Sequence, residues 1–344
     1  MNSLSTAILQ LILKRLAIAV PTLLLISLIS FALVNAAPGD AFAELKQDPR
    51  VSEETVQRLR EQYGLDRPLR ARYGTWLRGV VNGDFGTSLS ERLPVTKLIG
   101  ARLGNTLKLS LTATFLALLL ALPLGALAAK QRDSWLDRIT SALTLVSIST
   151  PRLVLAIIAL VFAARTGWFP IGNVRSLHVA DDWSAASWLD SWHHLLLPAV
   201  VLSLPLTAMY LRQARNGLLE VLSADFIRTA RAKGLSEWSV IGKHAARVAA
   251  GPLITLFGYA IAALLSGSVI VETVMSWPGI GQLAVNATRT RDIPVLMAVV
   301  LLAGVMMLLG NLLADVLQLI VDPRLREILP TNTRVWKSPE GTRR

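Results

Sequence analysis

Long stretches without a charged side chain constrain the fold of this chain more than any other feature of its sequence. A helix needs about 20 mostly apolar residues to cross a bilayer. Six runs approach or reach that length, namely Leu16–Val34, Leu109–Ala129, Ile139–Ala164, His194–Leu211, Leu253–Val271 and Pro294–Ile320. Inside a bilayer the backbone must satisfy its own hydrogen bonds, which such runs achieve as helices. The sequence therefore predicts an all-α, polytopic membrane protein with six transmembrane helices.

The composition agrees with this prediction and excludes several classes of function. Of 344 residues, 53% are hydrophobic and 17% are charged, whereas soluble domains are about a quarter charged. The net charge of +12 would suit a nucleic-acid-binding protein. However, the basic residues flank the apolar runs, as membrane orientation requires, so nucleic acid is not expected as a partner. The chain has no cysteine, which excludes disulfides, thiol catalysis and zinc sites with cysteine ligands.

The first apolar run is interpreted as a retained helix. It follows Lys14 and Arg15, as the apolar region of a signal peptide would. It is long for such a region, however, and a cut after Ala36-Ala37 would place Pro38 next to the cleavage site.

Short basic loops predict the orientation in the membrane. One loop spans residues 130–138 and contains Lys130, Arg132 and Arg138. The other spans residues 212–247 and contains Arg212, Arg215, Arg228, Arg231, Lys233, Lys243 and Arg247. Both loops should be cytoplasmic by the positive-inside rule. With six spans, both chain termini are then cytoplasmic as well.

The predicted organisation has four parts. Residues 1–35 form the cytoplasmic N-terminal end and span one, and residues 36–104 form a small external subdomain. Residues 105–322 form the transmembrane core, and residues 323–344 form a polar cytoplasmic tail. The external subdomain contains many arginines, but it is long enough to escape the positive-inside rule.

One helix can be predicted inside the external subdomain. Ser52 is a suitable N-cap, and Gly64 is a suitable stop. Between them, Val56, Leu59 and Tyr63 fall on one helix face.

Residues 215–250 form a long cytoplasmic loop, whose middle predicts two helices separated by a glycine. Ser223 is expected to cap the first helix, with Asp225 in its first turn. Arg231 and Lys233 then lie in its last turn and Gly234 ends it, an order of charges that complements the helix dipole. A second helix is expected to begin at a further cap, Ser236.

This first helix has two interpretations. Phe226, Ile227 and Ala230 are apolar and could enter a groove on a partner, while the basic residues meet acidic rims. Alternatively, the segment is a solvated basic loop that serves only to fix the topology.

The same segment carries a family resemblance. Residues 228–234 read RTARAKG and follow Asp225-Phe226-Ile227. This resembles the EAA motif of ABC importer permeases, in the form found in the dipeptide/oligopeptide type. Matching segments run along nearly the whole chain, at residues 38–40, 64–69, 83–88, 102–106, 272–281, 311–315 and 322–324. The large external loop is similar to that of the B-type subunit. The chain departs from the family pattern at Val248 and Arg152.

The resemblance implies a type I ABC importer permease fold and a set of partners. The chain would form a heterodimer with a second, related permease in the bacterial inner membrane. Two cytoplasmic ATPase subunits and an external solute-binding protein would complete the transporter. The residues implied to couple to the ATPase are Asp225, Phe226, Ile227, Arg228, Thr229, Ala230, Arg231, Ala232, Lys233 and Gly234.

No chemistry is expected of this chain itself. It lacks the GxxxxGK[ST] segment that cradles nucleotide phosphates, and it shows no pairing of a nucleophile with a base. ATP and magnesium would therefore be bound by the ATPase subunits, and no cofactor is expected here. The implied cargo is di- or oligopeptides, with glutathione, nickel chelates and oligosaccharides as alternatives. A proton- or sodium-coupled carrier would instead show inverted repeats and a charged midplane site, and a membrane sensor would show no transport.

Pro151, Arg152 and Glu272 are the candidate pathway residues. Arg152 falls near the middle of the predicted third span, where a charge is costly. Pro151 beside it leaves a carbonyl unpaired, as happens where helices line a cavity. Arg152 would either attract a substrate carboxylate or pair with Glu272 inside the bundle. Glu272 and Asp315 lie near span ends and could belong to a proton relay or serve as structural anchors. A relay needs a chain of ionisable groups across the membrane, so the anchor interpretation is favoured.

A metal site is conceivable at His193 and His194, which lie near Asp181 and Asp182 in sequence. Adjacent histidines at the start of a membrane helix are more often interfacial residues. No metal is therefore assigned.

Overall fold

The computed structural model describes residues 3–36, 52–62, 64, 66–176, 179 and 184–321. Its helices are α1 (Ser3–Ala36), α2 (Glu53–Gln62), α3 (Leu69–Val81), α4 (Val95–Lys130), α5 (Trp135–Ser149), α6 (Arg152–Thr166), α7 (Ala185–Leu222), α8 (Asp225–Ala232), α9 (Glu237–Ser239), the π-helical segment Val240–Ala245, α10 (Ala246–Val274), α11 (Ile280–Arg289) and α12 (Ile293–Val321). Across these described residues there is no strand beyond an isolated bridge between Thr87 and Pro94. The all-α prediction is confirmed.

Most of the predicted spans coincide with long helices. Among the described residues, α1, α4, α7 and α12 are each long and apolar enough to cross a membrane, and α5 with α6 makes a fifth span if the two are counted together. The predicted fifth span lies within α10, a helix of 29 residues whose side chains 259–267 fall outside the description. The count of six spans therefore remains a prediction.

The third predicted span is broken. The sequence predicts one helix over Ile139–Ala164, but α5 ends at Ser149 and α6 begins at Arg152, and the two are bent by 102°. Pro151 precedes α6 and has extended rather than helical backbone. The prediction of a continuous span was wrong because proline disfavours helical geometry in the residue before it.

Small residues bring α4 and α7 into close contact. Ala113, Ala117 and Ala121 recur at every fourth position of α4 and are fully buried. Gly125 continues this row, and a Cβ there would come within 2.8 Å of the Cβ of Ala214 in α7. Such a row lets two membrane helices approach closely, so van der Waals contact can hold them together. The largest cluster of buried residues is built around this pair of helices.

The other long helices pack beside this pair. A Cβ at Gly258 of α10 would clash with Ala314 of α12, so these helices also approach closely. Arg15 of α1 forms an ion pair with Asp315 of α12. Asp315 is therefore a structural anchor, as one of its two interpretations predicted.

The region predicted to be external is only partly described. Ser52 accepts a hydrogen bond from the backbone N–H of Thr55 at 3.2 Å, and Gly64 has a φ of +63°. The predicted cap and stop of α2 are thus confirmed. Tyr63 and the side chains of Val56 and Leu59 lie outside the description, as do residues 37–51 and the predicted tail.

Candidate functional site

The short helix α8 lies between two long helices, at one end of the bundle. Residues Ser223 and Ala224 separate it from α7, and Gly234 lies shortly after its end. Asp225 occupies the first turn and Arg231 the last. Gly234 has a φ of +75°, with open space around the position of a Cβ. The glycine is therefore required by backbone conformation rather than by crowding, and its predicted role as a stop is confirmed.

Of the two helix caps predicted in this loop, one is confirmed and the other is wrong. Ser236 accepts a hydrogen bond from the backbone N–H of Ser239 and caps α9, as predicted. Ser223 does not cap α8. It ends α7 instead and donates a hydrogen bond to the Glu220 carbonyl at 2.7 Å. The extended residue that precedes α8 is Ala224, which has no side chain that could accept a hydrogen bond.

The apolar face of α8 packs against its own chain. Ile227 is fully buried and Ala230 is 6% exposed. Both belong to a cluster that we call the loop core, formed with Ala129, Leu218, Val240, Ile241, Ala245 and Ala249. The prediction that Ile227 and Ala230 enter a groove on a partner is therefore wrong. Of the three apolar residues proposed for docking, only Phe226 remains exposed.

The rest of the surface of α8 is exposed. Phe226 is 47% exposed and is the large apolar side chain on this surface. The exposed residues around it are Asp225, Arg228, Thr229, Arg231, Ala232 and Lys233. An exposed aromatic ring among cations is a surface suited to a partner with an apolar pocket and an acidic rim.

An ion pair closes the turn after α8. Arg231 Nη2 and Nε lie 2.6 Å and 3.1 Å from the two carboxylate oxygens of Glu237 at the start of α9. These hydrogen bonds hold the pKa of Glu237 below its usual value and raise the pKa of Arg231. The pair links the end of α8 to the start of α9 across the turn at Gly234.

Two further contacts attach this loop to the long helices. Lys130 Nζ, at the end of α4, lies 4.5 Å from the centre of the Trp238 ring. At the other end of the same region, Arg215 of α7 donates to both carboxylate oxygens of Asp137 in α5, at 2.5 Å and 2.7 Å. Sequence reasoning missed the role of Trp238, although a tryptophan in a short basic segment is a signal that a cation lies nearby.

The backbone after α9 leaves the regular α-helical pattern. Residues Val240–Ala245 form a π-helical segment before α10 begins. Val240 and Ile241 are nonetheless buried in the loop core. Segments of this kind are rare and are often found at functional sites.

The candidate pathway residues Pro151 and Arg152 lie at the break between α5 and α6. Pro151 precedes α6, and Arg152 is its first residue and is partly buried. The sequence predicted Arg152 in the middle of a continuous span. The structure instead places it at a sharp bend.

Glu272 has a structural role at the other end of α10. Its side chain is fully buried and accepts hydrogen bonds from Thr106 Oγ1 at 2.8 Å and from the backbone N–H groups of Gly281 at 2.6 Å and Gln282 at 3.1 Å. These N–H groups belong to the first turn of α11, where a helix favours negative charge. The predicted ion pair with Arg152 is absent between these two described residues, so this alternative was wrong.

The two histidines bind backbone rather than each other. The ring of His193 is hydrogen-bonded to the Trp168 carbonyl at 2.7 Å, and that of His194 to the Gly172 carbonyl at 2.9 Å. Asp181 and Asp182 lie outside the described residues.

Comparison with known proteins identifies the family. The family described as "Binding-protein-dependent transport system inner membrane component" matches residues 121–327, and a second family model, for the N-terminal part of such components, matches residues 8–110. The oligopeptide transport system permease protein AppB of Bacillus subtilis (strain 168) is 41% identical over 316 residues, which cover 91% of this chain and 98% of that protein. The glutathione transport system permease protein GsiC of Salmonella choleraesuis (strain SC-B67) is 37% identical over 316 residues, covering 92% and 98% respectively.

A solved structure shares the fold. A chain of the MetNI methionine ABC transporter, in an inward-facing conformation, matches with a TM-score of 0.54 at 18% identity. The match covers 66% of this chain and 97% of that one. At this identity the likeness concerns the fold alone. Matches to both family models and to full-length relatives show that the chain belongs to the inner-membrane component family of binding-protein-dependent transport systems, the multi-pass permease subunits of ABC importers, which work with ATPase and solute-binding partners and have no catalytic activity of their own.

Proposed function

We propose that this chain forms half of the translocation pathway of a peptide importer, for di- or oligopeptides delivered by an external solute-binding protein. The proposal is carried by its similarity, over nine-tenths of its length, to a permease named for oligopeptide transport. A relative named for glutathione transport keeps glutathione as an alternative cargo. Nickel chelates and oligosaccharides are further alternatives, and an uptake assay separates all three from peptides.

We propose α8, with the turn that ends at Gly234, as the site that engages a partner ATPase. The geometry supports this because the two faces of α8 differ. Ile227 and Ala230 anchor the helix to its own chain, and Phe226 and the cations face outward. A helix held in this way can transmit a displacement of its outer face to the helices behind it.

The arrangement in the membrane follows from this assignment. The proposed transporter contains this chain, a second related permease and two ATPase subunits. The proposed orientation places α8 and both chain termini in the cytoplasm, and residues 36–104 outside. ATP and magnesium act on the ATPase subunits, so this chain needs no cofactor. It contributes one coupling helix and half of the cavity.

Arg152 is proposed as a pathway residue at the bend between α5 and α6. It is partly buried, and it forms no ion pair with a described carboxylate. A cation held there by the fold needs a solvating partner, and water between transport cycles or a substrate carboxylate during them would provide one.

The test is transport by the complete complex. The chain is co-expressed with its ATPase, permease and binding-protein partners and reconstituted in proteoliposomes, and ATP-driven uptake of labelled trialanine is measured. Unlabelled peptides should compete strongly, and glutathione, a nickel chelate and a maltooligosaccharide should compete less. Uptake driven by an ion gradient without the ATPase subunits would refute the proposal, and so would uptake of the sugar or the chelate in preference to peptides.

A further inference from the structure

A groove lies between the C-terminal part of α1, the helix α3 and the start of α12. It has a volume of about 290 Å³. Its lining combines two arginines and a tryptophan with apolar side chains, namely Arg67, Arg72, Trp76, Phe31, Ile293 and Met297. It is separate from the loop core and from the bend at Arg152.

The groove lies at the level of one membrane surface. On α1, Phe31 comes 16 residues after Arg15, which is about 24 Å along the helix at 1.5 Å per residue, or most of the thickness of the hydrocarbon core. The start of α12 packs with the start of α4 in one cluster of buried residues. The other end of α4 contacts the α8 region through Lys130 and Trp238. The groove is therefore near the membrane surface opposite α8.

Aromatic contacts attach α3 to α1 at this level. Tyr73 Oη and Ser27 Oγ share a hydrogen bond at 2.9 Å, and the Tyr73 ring lies 5.3 Å from the ring of Phe31. Trp76 stacks on Tyr73, with 6.0 Å between the ring centres. Tyrosine and tryptophan favour the membrane–water interface. No residue of α3 is fully buried in the chain, as expected of a helix that lies along the membrane surface.

The charge at the groove is positive. Arg72 lies with its guanidinium carbon 5.9 Å from the centre of the Phe31 ring, and burial lowers its pKa. Neither Arg67 nor Arg72 forms an ion pair with a described carboxylate. Glu61 also lines the groove, but its side chain is exposed, so water and salt screen its charge. The helix α3 adds further cations and contains no carboxylate. Such a surface attracts anions.

The apolar wall of the groove continues along α1. Leu28 and Leu24 lie three and seven residues before Phe31, on the same side of the helix, and both are exposed. Of the four long apolar helices among the described residues, α1 buries the smallest share of its apolar window. A path for a hydrocarbon chain therefore runs from the groove toward the middle of the membrane.

One polar group in the lining has no partner in the described part of the chain. The indole N–H of Trp76 is buried and has no hydrogen-bond acceptor there. Buried polar groups are nearly always hydrogen-bonded. An oxygen atom supplied from outside the chain would satisfy this donor.

We propose that the groove binds one anionic phospholipid of the phosphatidylglycerol type, with its phosphate beside Arg67 and Arg72 and one acyl chain along Phe31, Leu28 and Leu24. Arginine suits this role because its planar guanidinium can donate two parallel hydrogen bonds to a phosphate. At about 30 Å³ per water-sized group, the groove has room for a glycerophosphate headgroup, and the acyl chains remain on the surface of α1. A free phosphate ion would leave this apolar path unused. The inference is independent of the cargo proposed above.

The test measures lipid binding to the complete transporter by native mass spectrometry, with the second permease and the ATPase subunits present. Dioleoylphosphatidylglycerol should bind more tightly than dioleoylphosphatidylcholine, which has the same chains but no net charge. Arg67→Gln should weaken phosphatidylglycerol binding about tenfold, because it removes a charge-assisted contact with the phosphate. It should leave phosphatidylcholine binding unchanged. Glu61→Gln should act in the opposite direction and tighten phosphatidylglycerol binding about twofold, because it removes an exposed like charge.

A matched control comes from α3 itself. Arg70→Gln removes the same charge from an exposed position outside the groove lining, and it should leave phosphatidylglycerol binding unchanged. Equal affinities of the wild type and Arg67→Gln for phosphatidylglycerol would overturn the proposal, and so would equal binding of the two lipids by the wild type. Displacement of phosphatidylglycerol by inorganic phosphate would overturn it by assigning the arginines to a free anion. Binding to the isolated chain but not to the heterodimer would overturn it by assigning the groove to the second permease.

Discussion

Replacing Phe226 with alanine should weaken the proposed contact of α8 with the ATPase without unfolding the permease. Phe226 is 47% exposed, and a phenylalanine buries about 200 Å² when fully enclosed, so docking removes up to about 90 Å² from water. At about 25 cal/mol per Å², this area corresponds to about 2.3 kcal/mol, or about 50-fold in affinity. The assay titrates purified ATPase subunits against the permease heterodimer in nanodiscs and measures the concentration that gives half-maximal binding.

The adjacent residue provides the matched comparison. Ile227 points about 100° away around the helix and is fully buried in the loop core. Ile227→Ala should therefore destabilise this region by about 2–5 kcal/mol and lower the thermal midpoint. Phe226→Ala should leave that midpoint unchanged, and Phe226→Leu should retain most of the affinity. If Phe226→Ala binds the ATPase as tightly as the wild type does, this face of α8 is not the contact surface and the reasoning fails.

Three further predictions concern the same loop and the orientation of the chain. Gly234→Val should raise ATP hydrolysis per peptide transported, because a β-branched residue adopts a positive φ reluctantly; Gly234→Asn should be milder, and normal coupling in the valine variant would contradict the role of this turn. A single cysteine at Gln57 should react with an impermeant thiol reagent in spheroplasts, whereas one at Ser239 should not, and the reverse pattern would invert the topology. The Arg231–Glu237 pair holds the Glu237 pKa below its usual value, so its stabilisation is complete above the unfolded pKa of about 4.3 and is lost as the pH falls through the lower folded pKa. Because the pair is more than a third exposed, its effect should be only a few tenths of a kcal/mol. Hydrogen exchange of the α8 amides should be slower in the wild type than in Glu237→Gln near neutral pH, and the two should exchange alike in acid. Equal protection in both proteins at all pH values would assign the pair no role.

Local features of the loop could be predicted from sequence because they depend on a few neighbouring residues. Gly234 adopts the positive φ that its position at a helix end indicated, and Ser236 caps the next helix. The apolar residues of α8 were recognised, but Phe226 was grouped with Ile227 and Ala230, whereas the structure exposes Phe226 and buries the other two. The sequence alone also could not show whether the same chain or another protein buries an apolar face.

Two of the three candidate pathway residues, Pro151 and Glu272, show where such reasoning stops. A proline can lie inside a membrane helix, as Pro198 and Pro205 do in α7, or it can break the helix, as Pro151 does. Nothing in the local sequence distinguishes these two outcomes. Neighbouring helices decide which occurs, because they supply or withhold partners for the freed backbone groups. Glu272 likewise needs its tertiary context, since its hydrogen-bond donors come from Thr106 and from the first turn of α11.

The attachments of α8 determine which helices would follow if a partner displaced it. Two residues join α8 to α7, and Ile227 is buried among side chains that include Leu218 of α7 and Ala129 of α4. Burial of such a side chain is worth about 1.5–3 kcal/mol, more than the Lys130–Trp238 contact at about 1 kcal/mol. These contacts act in parallel, so α8 should move with the ends of α4 and α7 as one body. The connection to α10 instead passes through the π-helical segment Val240–Ala245, whose departure from regular helical hydrogen bonding makes it the natural place for bending. A displacement of α8 should therefore change the angle between α10 and the α4–α7 pair.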